Sequence, residues 1–461
     1  MDRSKKLANE GVGKLLFEFS IPAIVGMLVN SLYIIIDRIF IGRVVGAMAI
    51  SGVSITFPIG IIIMGFGMLV GIGAASHISI KLGQHRKDEA EKILGNAFTL
   101  LIIVSVLVTF FGMVFMDPML RSFGASSNTI VYAKEFITII LAGAVLQNLG
   151  FGLNNIIRAE GNPRKAMTTM LIGCILNIIL DFIFIYIFNF GIKGAATATV
   201  ISQAVNTIWV ISYFRGKSSL LKLKAKNFRL EKEVVLSIFA IGMSPFAMQI
   251  AASLVNVILN KRLGIYGGDL AIGAFGIINS IATIILMPIF GINQGSQPII
   301  GFNYGAKKYE RVKRALKLAA ISATVISTVG ILLVHIFPEF LVQMFNKSDV
   351  SLTQITVHGM KIFMIMFPVV GFQIVSSNFF QAIGKAKVSM FLALSRQVII
   401  LIPMLLILPG IFKLNGVWMA GPISDFISSI LTLIFLMLEV RKLKLEDIPE
   451  LGSQSPKECI E

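Results

Sequence analysis

Long apolar segments separated by short polar stretches run along the whole chain. Each apolar segment has about 20 residues or more, enough for a helix to cross ~30 Å of hydrocarbon. Apolar and polar residues do not alternate with a period of two, which disfavours a membrane β-barrel. The pattern predicts twelve transmembrane helices, at 15–41, 50–77, 93–116, 130–157, 166–189, 192–214, 235–260, 271–300, 315–338, 356–382, 388–409 and 415–440.

The chain contains two copies of one sequence pattern, offset by 222 residues, as from Gly83 to Gly305. Other residues match at the same offset: Ala49 and Ile50 with Ala271 and Ile272, Leu94 with Leu316, Ala97 with Ala319, and Gly194, Ala198, Ile201 and Ser202 with Gly416, Ala420, Ile423 and Ser424. Each copy holds six helices, an even number, so both copies enter the membrane from the same side. We therefore expect an all-α polytopic membrane protein, with two parallel six-helix bundles related by a pseudo-two-fold axis along the membrane normal.

This repeat divides the chain into three parts. We expect an N-terminal six-helix half at 1–215 (the N-half), a basic linker at 216–232, and a C-terminal half with a short tail at 233–461 (the C-half). Because a repeat of this length is a fused membrane bundle, the organisation is typical of a transporter.

Basic residues predict the orientation. The net charge is +17, although charged residues make up only 14% of the chain. About 30 of the 41 lysines and arginines lie in the termini and the even-numbered loops, which the positive-inside rule assigns to the cytoplasm. The charge therefore reflects topology and contact with anionic membrane lipid. We expect no nucleic-acid partner.

Motifs for catalysis are missing. No G-x-x-x-x-G-K-[ST] motif for nucleotide binding occurs, and the four histidines form no H-E-x-x-H motif. The acidic run Asp88-Glu89-Ala90-Glu91 has no second acidic motif to pair with, so we interpret it as a solvated helix start and not as part of a membrane-embedded transferase. The sequence predicts a protein that is not an enzyme and holds no cofactor.

Carboxylates inside apolar helices are the informative residues, because an acidic side chain in hydrocarbon is costly and usually functional. Asp37 lies late in the first helix. Asp181 lies in the fifth helix, one turn after Asn177, and Thr199 lies early in the sixth. These four side chains have the chemistry of a Na⁺ site or of a proton-binding cluster.

The second copy lacks this cluster. At the same offset, the counterparts are Leu259, Ile399, Pro403 and Gly421. A network that merely held a bundle together should be needed in both copies. The loss favours a functional site in the N-half, with a structural polar network as the alternative.

Several stretches of the chain resemble the multidrug and toxic compound extrusion (MATE) transporters, in their DinF- and MepA-like branch. The resemblance covers nearly the whole length and rests on Pro22, the run from Ile36 to Gly42, the run from Arg158 to Pro163, the pair Asn177 and Asp181, the entry Gly194–Ala196 with Thr199, and more loosely the run from Gln381 to Lys385.

The resemblance implies a V-shaped pair of lobes and drug export driven by an inward Na⁺ or H⁺ gradient. It implies a coupling-cation site at Asp37, Asn154, Asn177, Asp181 and Thr199, with no other metal, and a hinge at Pro22. Asn30 becomes a candidate residue of the drug cavity. Members of the NorM-like branch use acidic residues in the seventh, eighth or tenth helices, and this chain has none inside those helices.

The implied partners are small organic cations or drugs and membrane lipid. The implied state is a monomer in the cytoplasmic (inner) membrane of a prokaryote, with both termini in the cytoplasm. A flippase for a lipid-linked or polysaccharide substrate is the alternative, although it would be expected to have a basic cavity. Arg396 and Asp425 lie at similar depth in consecutive helices and are interpreted as a buried charge pair, with a second coupling site as the alternative.

Overall fold

The computed structural model describes residues 3–45, 47–127, 129–345 and 350–446, and every regular element within them is helical. The helices are α1 (Arg3–Asn9), α2 (Val12–Val44), α3 (Ala47–Gly83), α4 (Lys87–Val114), α5 (Met116–Ser122), α6 (Ile130–Ala142), α7 (Ala144–Ala159), α8 (Pro163–Asp181), α9 (Gly191–Arg215), α10 (Lys232–Gly305), α11 (Tyr309–Ile336), α12 (Pro338–Gln343), α13 (Val350–Phe363), α14 (Phe367–Ala382), α15 (Ala386–Leu394) and α16 (Ile402–Glu446). Two π-helical segments, Phe182–Ile187 and Ser395–Leu401, continue α8 and α15.

Length and composition allow nine of the described helices to cross a membrane, or eleven if each of two bent pairs is one span. The unit Ala386–Leu443 has 58 residues. As one straight helix it would be about 87 Å long, far more than one crossing needs. A left-handed residue, Lys413 with φ 52°, breaks it into two. The described helices therefore make the twelve predicted crossings. In the same way, Gly268 with φ 65° divides α10 into the seventh and eighth spans.

The sharp bends lie at corresponding places in the two halves. Helices α6 and α7 meet at 54° around Gly143, and α13 and α14 meet at 53° across residues 364–366. Position 143 moved by the repeat offset becomes 365. The bends are thus part of the duplicated fold. Helix α2 continues as a helix through Pro22, although proline removes one backbone hydrogen bond there.

A reciprocal contact joins the halves. A Cβ atom on Gly83 would lie 1.9 Å from the carbonyl oxygen of Phe302, and one on Gly305 would lie 2.1 Å from that of Ile80. The repeat offset converts the first pair into the second. Only glycine permits such close backbone approach at both positions. This exchange is what a pseudo-two-fold axis requires.

The halves share one hydrophobic core on the side of the linker and have separate cores on the other side. The shared core contains Ile78 and Leu82 of the N-half together with Ile299 and Phe302 of the C-half. Away from the linker, the buried clusters draw on one half only: Ile59 and Ile63 with their neighbours, Ile41 with Ile185, and Val255 through Trp418. The molecule therefore closes on the linker side and diverges on the opposite side.

The linker is fastened to the N-half by two buried carboxylates. Glu160 accepts hydrogen bonds from Tyr213 Oη, from Ser219 Oγ (2.8 Å) and from the backbone N–H of Leu221 (3.2 Å). Glu91 accepts one from the backbone N–H of Lys222 (3.1 Å) and forms an ion pair with the Lys224 ammonium. The hydrogen bond from Lys224 to Glu91 raises the pKa of the Lys224 ammonium. The prediction of a solvated helix start was therefore wrong for Glu91, because the linker folds back over it.

Candidate cation site in the N-half

Helix α8 carries two of the predicted site residues on one face. The helix begins at Pro163, where the side chain of Asn162 caps it by accepting the N–H of Lys165 at 3.4 Å. Asn177 and Asp181 lie one turn apart near its far end, and both are buried, Asp181 with 0% of its surface exposed. The α-helix changes to a π-helix directly after Asp181. Such changes of helical pitch are frequent at functional sites.

Three contacts establish the register between α2 and α8. A Cβ on Gly26 would touch Met170, the thiol of Cys174 donates to the carbonyl oxygen of Val29 at 3.4 Å, and the rings of Phe40 and Tyr186 lie 5.5 Å apart, edge to face. Residues of α2 thus lie level with residues numbered 144 to 146 higher. Asp37 is therefore level with 181–183, and its carboxylate interacts electrostatically with that of Asp181.

Helix α9 brings in the fourth residue. The Asn177 side-chain amide donates to Thr199 Oγ1 at 3.4 Å, and that hydroxyl donates in turn to the carbonyl oxygen of Ala195 at 3.0 Å. The structure therefore brings Asp37, Asn177, Asp181 and Thr199 to one level of the N-half, from three different helices.

Asn154 lies at a different level. Helices α7 and α8 form a hairpin with a short turn, and Asn154 precedes the end of α7 by five residues, while Asn177 follows the start of α8 by fourteen. At ~1.5 Å per residue these positions are about 8 Å and about 21 Å from the turn. Asn154 is buried but lies well towards the linker side of the other four residues.

Both carboxylate oxygens of Asp181 and Oδ1 of Asn177 are buried and have no hydrogen-bond partner within the described chain. A buried charge without donors is expensive, so this carboxylate calls for a proton or a bound cation. Carboxylate, amide and hydroxyl oxygens are hard ligands, and they suit an alkali cation. The described residues contain no cluster of three or more His, Cys, Asp or Glu side chains for a transition metal.

This half contains further buried polar residues that were not predicted, because the prediction started from charged side chains. Asn148, Gln203 and Asn206 each present a buried side-chain oxygen with no hydrogen-bond partner among the described residues. Like Asn154, they lie on α7 and α9 between the cluster and the linker side. The sequence feature that could have predicted them is the presence of Asn and Gln inside apolar helices.

The remaining predicted residues lie on α2 and in the C-half. Pro22 is buried inside α2, and Asn30 lies on the same helix, but the side chain of Asn30 is outside the described residues. In the C-half, Arg396 Nε donates to Asp425 Oδ1 at 2.6 Å. Cys174 is a buried free thiol in the described chain, and Cys459 lies outside the described residues.

The model of the MatE family matches the chain twice, at residues 22–183 and 245–407. The chain belongs to the MATE family. The two matches repeat the 222-residue duplication to within two residues, and together they cover most of both halves. The protein is thus a polytopic membrane transporter and not an enzyme, as the sequence predicted.

Similar proteins cover nearly the full length. The multidrug export protein MepA of Staphylococcus saprophyticus is 29% identical over 93% of this chain and 94% of its own. A MOP superfamily transporter from Pyrococcus furiosus aligns with a TM-score of 0.90 at 25% identity, over 95% of this chain and 98% of its own. A multidrug resistance MATE family transporter in an outward-facing conformation gives the same four values. The predicted twelve-helix fold is confirmed.

Proposed function

We propose that this MATE transporter is a secondary active multidrug exporter, which exchanges cationic or amphipathic organic compounds for Na⁺ or H⁺. Relatives that span nearly the whole chain are named multidrug export proteins, which supports the substrate class. The exchange mode rests on the N-half site itself.

The observation that carries the proposal is Asp181, a fully buried carboxylate whose two oxygens have no hydrogen-bond partner in the described chain. It lies level with the second carboxylate, Asp37, on the facing helix. Ionised together, the two groups repel each other in a medium that screens poorly. Binding of H⁺ or Na⁺ removes this repulsion, so the N-half exists in two states of different charge.

The charge change acts on α2. Proline at position 22 lacks the backbone N–H that would donate to the carbonyl oxygen four residues earlier. This weakens α2 at a point that precedes Asp37 in the chain. When the charges at Asp37 and Asp181 are neutralised, α2 packs more closely against α8 and α9, and the space available to a drug in the N-half shrinks. Drug and coupling ion then exclude each other, which makes the exchange obligatory.

The direction of export follows from the topology proposed for the chain. With the basic loops and both termini in the cytoplasm, the linker side is cytoplasmic. The halves meet there and diverge on the other side, so the arrangement is that of a transporter open to the outside of an inner membrane. In this state the N-half would release drug outward and accept the incoming ion.

Reconstituted vesicles test the proposal. The purified protein is placed in liposomes, and transport of a fluorescent organic cation is followed under a Na⁺ gradient alone and under a pH gradient alone. We expect uphill transport with at least one gradient, and none when both are collapsed. Equal uptake with and without gradients would contradict the antiport mechanism.

A further inference from the structure

An ion pair lies inside the C-half, between the helices that correspond to α8 and α9. Arg396 lies in the π-helical segment Ser395–Leu401, and its Nε donates to Asp425 Oδ1 on α16 at 2.6 Å. Ser424 Oγ donates to the carbonyl oxygen of Arg396 at 2.6 Å. This bond links the two helices directly beside the ion pair.

The two partners differ in exposure. The Asp425 side chain is 7% exposed, whereas that of Arg396 is 29% exposed. The residues four positions before and after Arg396 are buried: Leu392 at 0% and Ile400 at 9%. The lipid-facing side of the same segment is marked by the exposed Phe391 and Ile399. Arg396 therefore lies on the buried side of this segment and not on the side that faces lipid.

The guanidinium retains unused donors. Only Nε takes part in a hydrogen bond within the described chain, so the two terminal NH₂ groups remain available to another acceptor. Arginine binds a carboxylate through two parallel N–H bonds, and the geometry of the fork makes such pairs strong and selective. Asp425 occupies the Nε edge, and neither terminal NH₂ group is among the buried atoms without a partner in the described chain.

We propose that Arg396 is a specificity-determining residue, which binds the carboxylate of amphiphilic substrates that carry an acidic group. Asp425 holds the guanidinium in place through Nε, and the terminal NH₂ groups remain available to the substrate. The inference rests on the proposed export function and adds a substrate class to it. A zwitterionic amphiphile would match both halves, with its ammonium group towards the N-half carboxylates and its acid towards Arg396.

A matched pair of dyes tests the inference: a rhodamine with a free carboxylate and its methyl ester, assayed in proteoliposomes of neutral phosphatidylcholine. The neutral lipid excludes an anionic headgroup as the occupant of the site. Arg396→Gln alone leaves Asp425 as an uncompensated buried charge, so the double variant Arg396→Gln, Asp425→Asn is measured beside it. Arg262→Gln removes an arginine elsewhere in the C-half and serves as the control.

We expect the ratio of acid to ester transport to fall at least tenfold in the double variant and to keep its wild-type value in Arg262→Gln. Arg396→Lys, which keeps the charge but loses the fork, should give an intermediate ratio. Equal losses for both dyes would reduce the pair to a structural role, and an unchanged ratio would remove Arg396 from the substrate path. If the wild-type protein exports the ester but not the acid, the proposed function stands and this inference fails; transport of neither dye would count against the proposed function itself.

Discussion

The two halves treat charge differently on corresponding helices. In the N-half, α8 carries Asp181, whose oxygens have no hydrogen-bond partner in the described chain, level with a second carboxylate, Asp37. In the C-half, Arg396 and Asp425 neutralise each other at 2.6 Å. Their counterparts in the N-half by the repeat offset are Cys174 and Gln203, so the C-half pair lies about two turns nearer the linker side than Asp181.

Under the proposed mechanism, the two halves of the duplicated bundle have different tasks. A buried pair of opposite charges is neutral as built and needs no ion to complete it. In that mechanism, two carboxylates at the same level need a proton or a cation, so their charge state follows an ion gradient. The shared apolar core on the linker side couples both halves, although only one of them carries the acidic cluster.

The largest expected effect comes from removing the cluster's charge. Asp37→Asn should abolish drug resistance in cells while the protein inserts at normal levels, because the two states of the N-half no longer differ in charge. Asp117→Asn makes the same chemical change at the half-exposed ion pair with Lys134 and should keep wild-type resistance, since surface pairs contribute little. Minimal inhibitory concentrations, with membrane levels from immunoblots, provide the measurement. Wild-type resistance in Asp37→Asn would overturn the assignment.

The second effect concerns the stability of the purified protein. In alkaline buffer without Na⁺, addition of Na⁺ or acidification should raise the melting temperature of the wild type, because a ligand that binds the folded state stabilises it. Asp181→Asn should lose this response, and the double variant Asp37→Asn, Asp181→Asn should lose no more than either single one, since the two groups form one unit. Thermal-shift curves in detergent would show this. If the losses of the two single variants add up in the double variant, the two carboxylates do not act as one unit.

The third effect concerns the proposed hinge at Pro22 in α2. Pro22→Ala restores a backbone hydrogen bond inside α2 and should stiffen the helix. We expect unchanged drug affinity and at least tenfold slower turnover, because conformational steps often limit the rate of such cycles. Equilibrium binding of a fluorescent drug and vesicle transport rates separate the two quantities. Turnover at the wild-type rate would refute the hinge while leaving the cation site intact.

The smallest effect is expected in the C-half. Ser376 and Ser377 are the repeat counterparts of Asn154, and Ser376 is buried with an Oγ that has no hydrogen-bond partner in the described chain. Replacement of either serine by Ala should reduce transport less than tenfold, because no acidic cluster depends on them. Complete loss of transport at either position would mean that the two halves share the ion site, and the contrast between them would disappear.

Much of the candidate site was predictable from the sequence, because several of its residues are close together in the chain. Asn177 and Asp181 share a face because they are one helical turn apart, and Thr199 follows in the next helix of a short hairpin. The level of Asn154 was not predictable in this way. Family resemblance groups it with the other four residues, whereas the hairpin of α7 and α8 keeps it about 13 Å nearer the linker side, by helix rise alone. The buried role of Glu91 was missed because the linker that covers it lies more than 120 residues later in the chain.

The sequence by itself determined the number of spans, the duplication and the sign of charge in each segment, because span length, helical period and composition are properties of contiguous residues. Only the tertiary structure decided which helices lie side by side and at what level. Lipid tails are as apolar as leucine, so hydropathy does not select a neighbour; close packing and interhelical hydrogen bonds do. The contacts of Gly26 with Met170 and of Gly83 with Phe302 join positions far apart in the chain. Contacts of this kind bring Asp37 level with Asp181 and close the two halves on the linker side.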